Sequence, residues 1–117
     1  MTLRKALLID AANRQVTEVE LAVLGDFQRL VGGPHGAVYI EPVSQRWLPG
    51  HVLLVDEEAH VRTLQPYGFR VYGGSEMLGG DVVRGNALVM CRAEDGEFAA
   101  PGITLAELAP MIRWVAI

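Results

Sequence analysis

The chain has one cysteine, one lysine, few aromatic residues and no apolar run long enough to cross a bilayer. Each shortage closes off a class of protein. A lone thiol, Cys91, can neither form an internal disulfide nor build a thiolate metal site, which argues against a disulfide scaffold or zinc ribbon and for a reducing compartment. A bilayer crossing needs ~20 consecutive apolar residues. The start MTLRKALLID offers only a short hydrophobic stretch closed by an acid, unlike a secretory leader. The expected setting is cytoplasmic, with no membrane partner. Net charge is -4, and a field of that sign repels phosphate backbones, so nucleic acid is not an expected partner. The same charge is too small for the chain to act as an acidic mimic of DNA. Nine of the ten basic residues are arginine, a skew that accompanies GC-rich coding in bacteria and their phages.

What is present is the composition of an ordinary globular core, half hydrophobic and 21% charged. A chain of this length buries roughly two-thirds of its unfolded surface and needs no staples, so residues 1–117 are expected to form a single domain.

Residues 4–9 are a compact apolar run, closed by a turn-like Asp10-Ala11-Ala12-Asn13 and followed by alternation over 15–21, which predicts a β-hairpin. Val23, Phe27, Leu30 and Val31 lie on one helical face, and Gly32-Gly33-Pro34 supplies a stop, giving a helix of about 8 to 10 residues. Residues 37–43 alternate as a strand, with Pro42 at a strand end or sheet edge. Residues 52–55 are apolar on both faces, as in a central strand covered on two sides. Asp56-Glu57-Glu58-Ala59 reads as a hairpin turn into a strand over 60–64. Residues 66–80 hold five glycines and read as a long irregular segment, followed by Asp81 to Arg92, whose core Asn86-Ala87-Leu88-Val89-Met90-Cys91 is another strand. Thr104 and Glu107 fit a capping box that opens a C-terminal helix. Pro110 should make it kink or restart near Leu108-Ala109, while Leu105, Leu108, Ile112 and Val115 keep one face apolar. The fold class predicted is α+β, a mostly antiparallel five- or six-stranded sheet with two helices packed on it.

No spacing for catalysis stands out. The glycine clusters at 32–36, 73–74 and 79–80 match neither a phosphate-binding loop with its Gly-Lys-Ser/Thr nor a dinucleotide fingerprint. Glycine's usual task of providing positive φ accounts for them. No serine sits in a nucleophile elbow, and Cys91 has no base close in sequence. His35, His51 and His60, with Asp56, Glu57 and Glu58 nearby, match no helix-borne ligand pair, and only a hairpin could bring His51 to His60. Catalytic residues, metal ligands and cofactors are therefore not assigned.

The working surface expected instead is the arginine- and tyrosine-bearing loop segment from Pro66 to Arg84. Arginine offers planar donors to carboxylate or phosphate, tyrosine anchors interfaces, and loops on a rigid sheet tend to carry function. The candidate contacts are Tyr67, Arg70, Tyr72, Gly73, Gly74 and Arg84. The competing reading has Phe69 and one tyrosine filling the core while the arginines are merely solvated.

The motif order carries a resemblance. Phe27-Gln28-Arg29-Leu30-Val31-Gly32-Gly33 is followed by Ile40-Glu41-Pro42-Val43, then Leu54-Val55-Asp56-Glu57-Glu58, Leu64, and Val83-Arg84-Gly85-Asn86-Ala87-Leu88-Val89. This resembles a family of small domains from phages, plasmids and other bacterial mobile elements. Its pattern is a helix ending L-Q-x-x-V-G-G, an I-E-x-V strand, an N-E-E-G hairpin and a strand of the form I-x-G-x-x-x-V. Here Ala59 stands in place of the hairpin glycine, and where the family has an asparagine after a leucine and proline this chain runs Gln65-Pro66-Tyr67-Gly68. The resemblance implies an accessory setting and no established chemistry. The leading expectation is a non-enzymatic accessory binding protein that occupies a host protein or a small anionic or nucleotide ligand. The alternative is a small metal-dependent hydrolase using His35, His51 or His60 with Asp56 or Glu58.

Overall fold

The computed structural model describes residues 3–59 and 67–116, the side chains of Gly80 and Asp81 excepted. The predicted strand over 60–64 lies outside them.

The first apolar run forms β1 (Arg4–Asp10), which pairs antiparallel with β2 (Gln15–Leu21) from Arg4↔Leu21 to Asp10↔Gln15. Both Asp10 oxygens hold the turn, accepting from the Asn13 backbone amide at 3.2 Å and its side-chain amide at 2.9 Å. Helix α1 (Leu24–Gly32) follows. Its start is secured by Asp26, whose Oδ2 accepts from the Ala22 and Val23 amides at 2.8 and 3.1 Å. Phe27 and Val31 face the core as expected, but Val23 is the N-cap and stays exposed. A 3-10 turn over Gly33–His35 then leads to β3 (Ile40–Ser44), β4 (His51–Asp56), β5 (Tyr67–Gly73), β6 (Glu76–Arg84), β7 (Ala87–Arg92) and the two-residue β8 (Phe98–Ala99). The chain finishes with α2 (Leu105–Leu108), a 3-10 turn and β9 (Ile112–Ala116).

The fold is α+β, with two antiparallel sheets. The larger has six strands in the order β2-β1-β7-β4-β3, with β8 added beside β7. Its three inner strands carry the continuous apolar runs Ala6 to Ile9, Val52 to Val55 and Ala87 to Met90, and successive residues alternate between two cores. Ala6, Leu8, Val52, Leu54, Leu88 and Met90 face α1 and pack with Phe27 and Val31. Leu7, Ile9, Leu53, Ala87 and Val89 face the other way, against Phe69, Val71, Leu108 and Ile112. Strand β4 is thus interior, between β7 and β3, as its two-faced hydrophobicity requires. Each fully buried large apolar side chain in such a layer contributes ~1.5 to 3 kcal/mol. Strand β3 is an edge, where Pro42 is tolerated.

The second core is covered by a sheet that the sequence did not reveal, β6-β5-β9. Two expectations change here. The segment read as irregular is, from Tyr67 onward, a hairpin closed by the two-residue turn Gly74-Ser75, in which Gly74 has φ +65°. Glycine at the first turn position is what a type II′ turn requires. The C-terminal helix stops at Leu108 rather than continuing through a kink. Its capping box forms, with Thr104 Oγ1 accepting from the Glu107 amide at 3.2 Å and Glu107 Oε1 accepting from the Thr104 amide at 3.0 Å. Pro110 lies in the 3-10 turn Ala109–Met111, and Ile112 then begins a strand in which Ile112 and Trp114 face the core. The cause is tertiary: β5 presents an open edge that β9 completes over Tyr67↔Ala116 to Val71↔Ile112.

Asn86 ties the layers together. It is 5% exposed, accepts from the Ala12 amide at 3.3 Å and donates to the Leu30 carbonyl at 3.2 Å. A β-carbon on Gly33, where φ is +54°, would lie 2.9 Å from the Asn86 amide nitrogen, so this side chain occupies the space a bulkier residue at 33 would need.

Candidate functional site

The two sheets part where β6 leaves the register of β5. Val71 pairs with Leu78 and Phe69 with Val83, so two steps along β5 face five along β6. The extra residues bulge toward the β3–β4 connection. A β-carbon on Gly79, where φ is +75°, would lie 3.4 Å from Trp47 Nε1 and 3.5 Å from Gln45 Oε1. Glycine therefore permits both the turn and the close approach. Bulges commonly sit beside sites because they re-aim the strand.

Between this bulge and the face of β3 and β4 lies a cavity of about 490 Å³. Its floor is apolar, formed by Val43, Leu53 and Val55, and its polar lining is Gln45, Asp56, Arg70 and Arg84. The volume falls within the range of small-molecule sites, which combine an apolar lining with a few convergent polar groups. Asp56 is 4% exposed and its Oδ1 accepts from the Glu58 amide at 2.9 Å. Gln45 accepts from Trp47 Nε1 at 2.9 Å and keeps its side-chain NH2 to donate. Arg70 donates to the Met77 thioether at 3.1 Å, a weak acceptor. Arg84 is exposed and has no hydrogen-bond or ion-pair partner among the described residues.

The structure brings Arg70 and Arg84 together on this cavity. Tyr67 packs half-buried against the second core. Tyr72 lies beneath the Arg113 guanidinium, 5.5 Å from carbon to ring centre. Gly73 and Gly74 close the hairpin away from the cavity: a β-carbon on Gly73 would meet Leu78 at 3.1 Å, while one on Gly74 would meet nothing. Asp56, Gln45 and the apolar floor were not singled out from the sequence as ligand contacts. The one available signal was that Val55 continues an apolar run on a strand next to an edge.

The histidines do not converge among the described residues. His51 is a structural link: its Nε2 accepts from the Gly102 amide at 2.8 Å and the Ile103 amide at 3.3 Å, and Nδ1 meets the Pro49 carbonyl at 3.1 Å. Those contacts assign the proton to Nδ1 and anchor the segment before α2. His35 lies in the turn after α1, and His60 lies outside the described residues. No three metal-ligating side chains gather among the described residues. Cys91 is a free thiol on β7, partly exposed rather than buried.

Two antiparallel sheets facing each other, with one helix on the far side of the larger, define an α+β domain whose cleft opens between the sheets. Residues 3–107 match the family described as Domain of unknown function (DUF3846), and the chain belongs to it. Strand β9 lies beyond the matched region. No curated protein and no solved structure matches the chain.

Proposed function

We propose that this domain is a non-enzymatic binding protein that holds a small anionic ligand with an apolar body, nucleotide-like in chemistry, in the cleft between the sheets. One observation carries the reading: two guanidiniums, Arg70 and Arg84, line a cavity with an apolar floor, and neither has a carboxylate partner among the described residues. A planar guanidinium makes paired hydrogen bonds to phosphate or carboxylate, while the aliphatic floor accepts a ring. Gln45 adds a donor for the polar edge of that ring. The resemblance to domains of phages and mobile elements supports an accessory role in the bacterial cytoplasm.

Calorimetric titration with adenosine monophosphate, adenosine and inorganic phosphate tests the reading. The monophosphate should bind more tightly than either fragment. Arg70→Ala and Arg84→Ala should each weaken it by ~1 kcal/mol or more. Both variants should melt close to the parent, because exposed charges contribute little to folding. Equal affinity for adenosine and its monophosphate, or a large loss of stability on removing Arg84, contradicts the assignment.

A further inference from the structure

The outer face of the three-stranded sheet sets beside Arg70 and Arg84, which also reach the cleft, side chains that the cleft does not use. Cross-strand pairing places Arg84 opposite Gly68, Arg70 opposite Arg113, and Tyr72 opposite Met77. Phe69, Val71 and Ile112, at the alternate positions, are buried in the core. One face of the sheet therefore presents three arginines with Tyr72, Met77 and, opposite Gly68 on β9, Val115. Arg113 is exposed, and Met77 is 44% exposed.

Among the described residues, no acid compensates the charge on this face. Arg113 uses Nη1 on the Pro110 carbonyl at 2.6 Å and the Ile112 carbonyl at 3.3 Å, leaving Nη2 and Nε to donate outward. Arg70 reaches only a thioether, and Arg84 reaches nothing among the described residues. The ion pairs of the described residues, Arg4 with Glu97 and Arg29 with Asp26, lie elsewhere. Arg70 and Arg113 are direct cross-strand neighbours, an arrangement that opposes folding unless a counter-charge lies between them. The only acid among the described side chains of these strands is Glu76, at the hairpin tip.

We infer that this face docks a partner protein that presents carboxylates along an apolar surface. The residue types are those enriched at protein interfaces, arginine, tyrosine and methionine, with lysine absent from all three strands. A nucleic-acid strand carries dense charge, which the chain's net -4 repels, whereas a few partner carboxylates meet three local guanidiniums. This surface shares Arg70 and Arg84 with the cleft, and Arg113, which does not line the cavity, is the residue that separates the two readings.

Fluorescence anisotropy of the full chain tests it, using a labelled peptide of alternating Glu and Val, with an oligothymidylate of equal charge as comparison. The peptide should bind more tightly than the oligonucleotide at low salt. Arg113→Gln should weaken it roughly tenfold, while Arg14→Gln, the same charge change in the β1–β2 turn, should leave it unchanged. The melting temperature of Arg113→Gln and its affinity for adenosine monophosphate should stay at the parent values. Tighter binding of oligothymidylate, equal loss in both variants, or no peptide binding overturns the inference.

Discussion

The six-stranded and three-stranded sheets put the same kind of antiparallel pairing to different uses. Strands β1, β4 and β7 of the larger sheet are covered on both sides, so most of their side chains belong to one core or the other. The smaller sheet buries one face and turns the other to solvent, where three arginines have no acidic partner among the described residues. A strand covered on both sides has little freedom to carry chemistry, because any polar group placed there must be satisfied by protein. A one-sided sheet, with a bulge that opens a cavity at its edge, can hold charge without that penalty. Stability is thus concentrated in the larger sheet and exposed charge in the smaller.

The sharpest test of that division is Leu54, which has no exposed surface at the centre of the larger sheet. Leu54→Ala should cost ~2 to 5 kcal/mol in urea unfolding, as a cavity-forming change. A loss below ~1 kcal/mol would mean that β4 is not the core strand described. Asn86→Ala comes next, at ~1 to 3 kcal/mol, because it leaves the partly buried Ala12 amide and Leu30 carbonyl without their partner. Unfolding that costs nothing here would show that the link is dispensable.

At the smaller sheet's end of the chain, Thr104→Ala should lose ~0.5 to 2 kcal/mol by uncapping α2. Combined with Glu107→Ala the losses should be less than additive, since both belong to one box. Full additivity would break the assignment. The smallest effect is a dependence on acid. Backbone hydrogen bonds from Ala22 and Val23 hold the Asp26 carboxyl below its usual range, aided by Arg29, and those from Thr104 do the same for Glu107. A carboxyl whose pKa is lower in the folded state contributes stability that is present above its unfolded value, about 4. That contribution is lost as pH falls through the folded value. Melting temperature should therefore drop below about pH 4, and Asp26→Asn with Glu107→Gln should flatten part of that drop. An unchanged slope in the double variant would remove both carboxylates from the acid response.

Wherever neighbours in sequence decide the outcome, the sequence was sufficient to read it. The two-faced apolar run at 52–55 required an interior strand, and β4 is one. Thr104 and Glu107 sit three residues apart, and their box closes within a single turn. Helix α1 ends at its glycines because positive φ at Gly33 stops it locally. The tertiary structure alone decided the rest. Residues 67–80 look irregular because their glycines sit at a turn and a bulge, and their strand character appears only when β6 and β9 pair on either side of β5. Ile112 and Val115 fit a helical face as well as a strand, and the unpaired edge of β5 settles the choice. The cavity follows the same logic: Arg70 and Arg84 are visible as residues, but Leu53, Val55 and Asp56 join them only when the two sheets face each other. Local periodicity and capping act over a few residues, whereas pairing partners and cavity walls come from segments far apart in the chain.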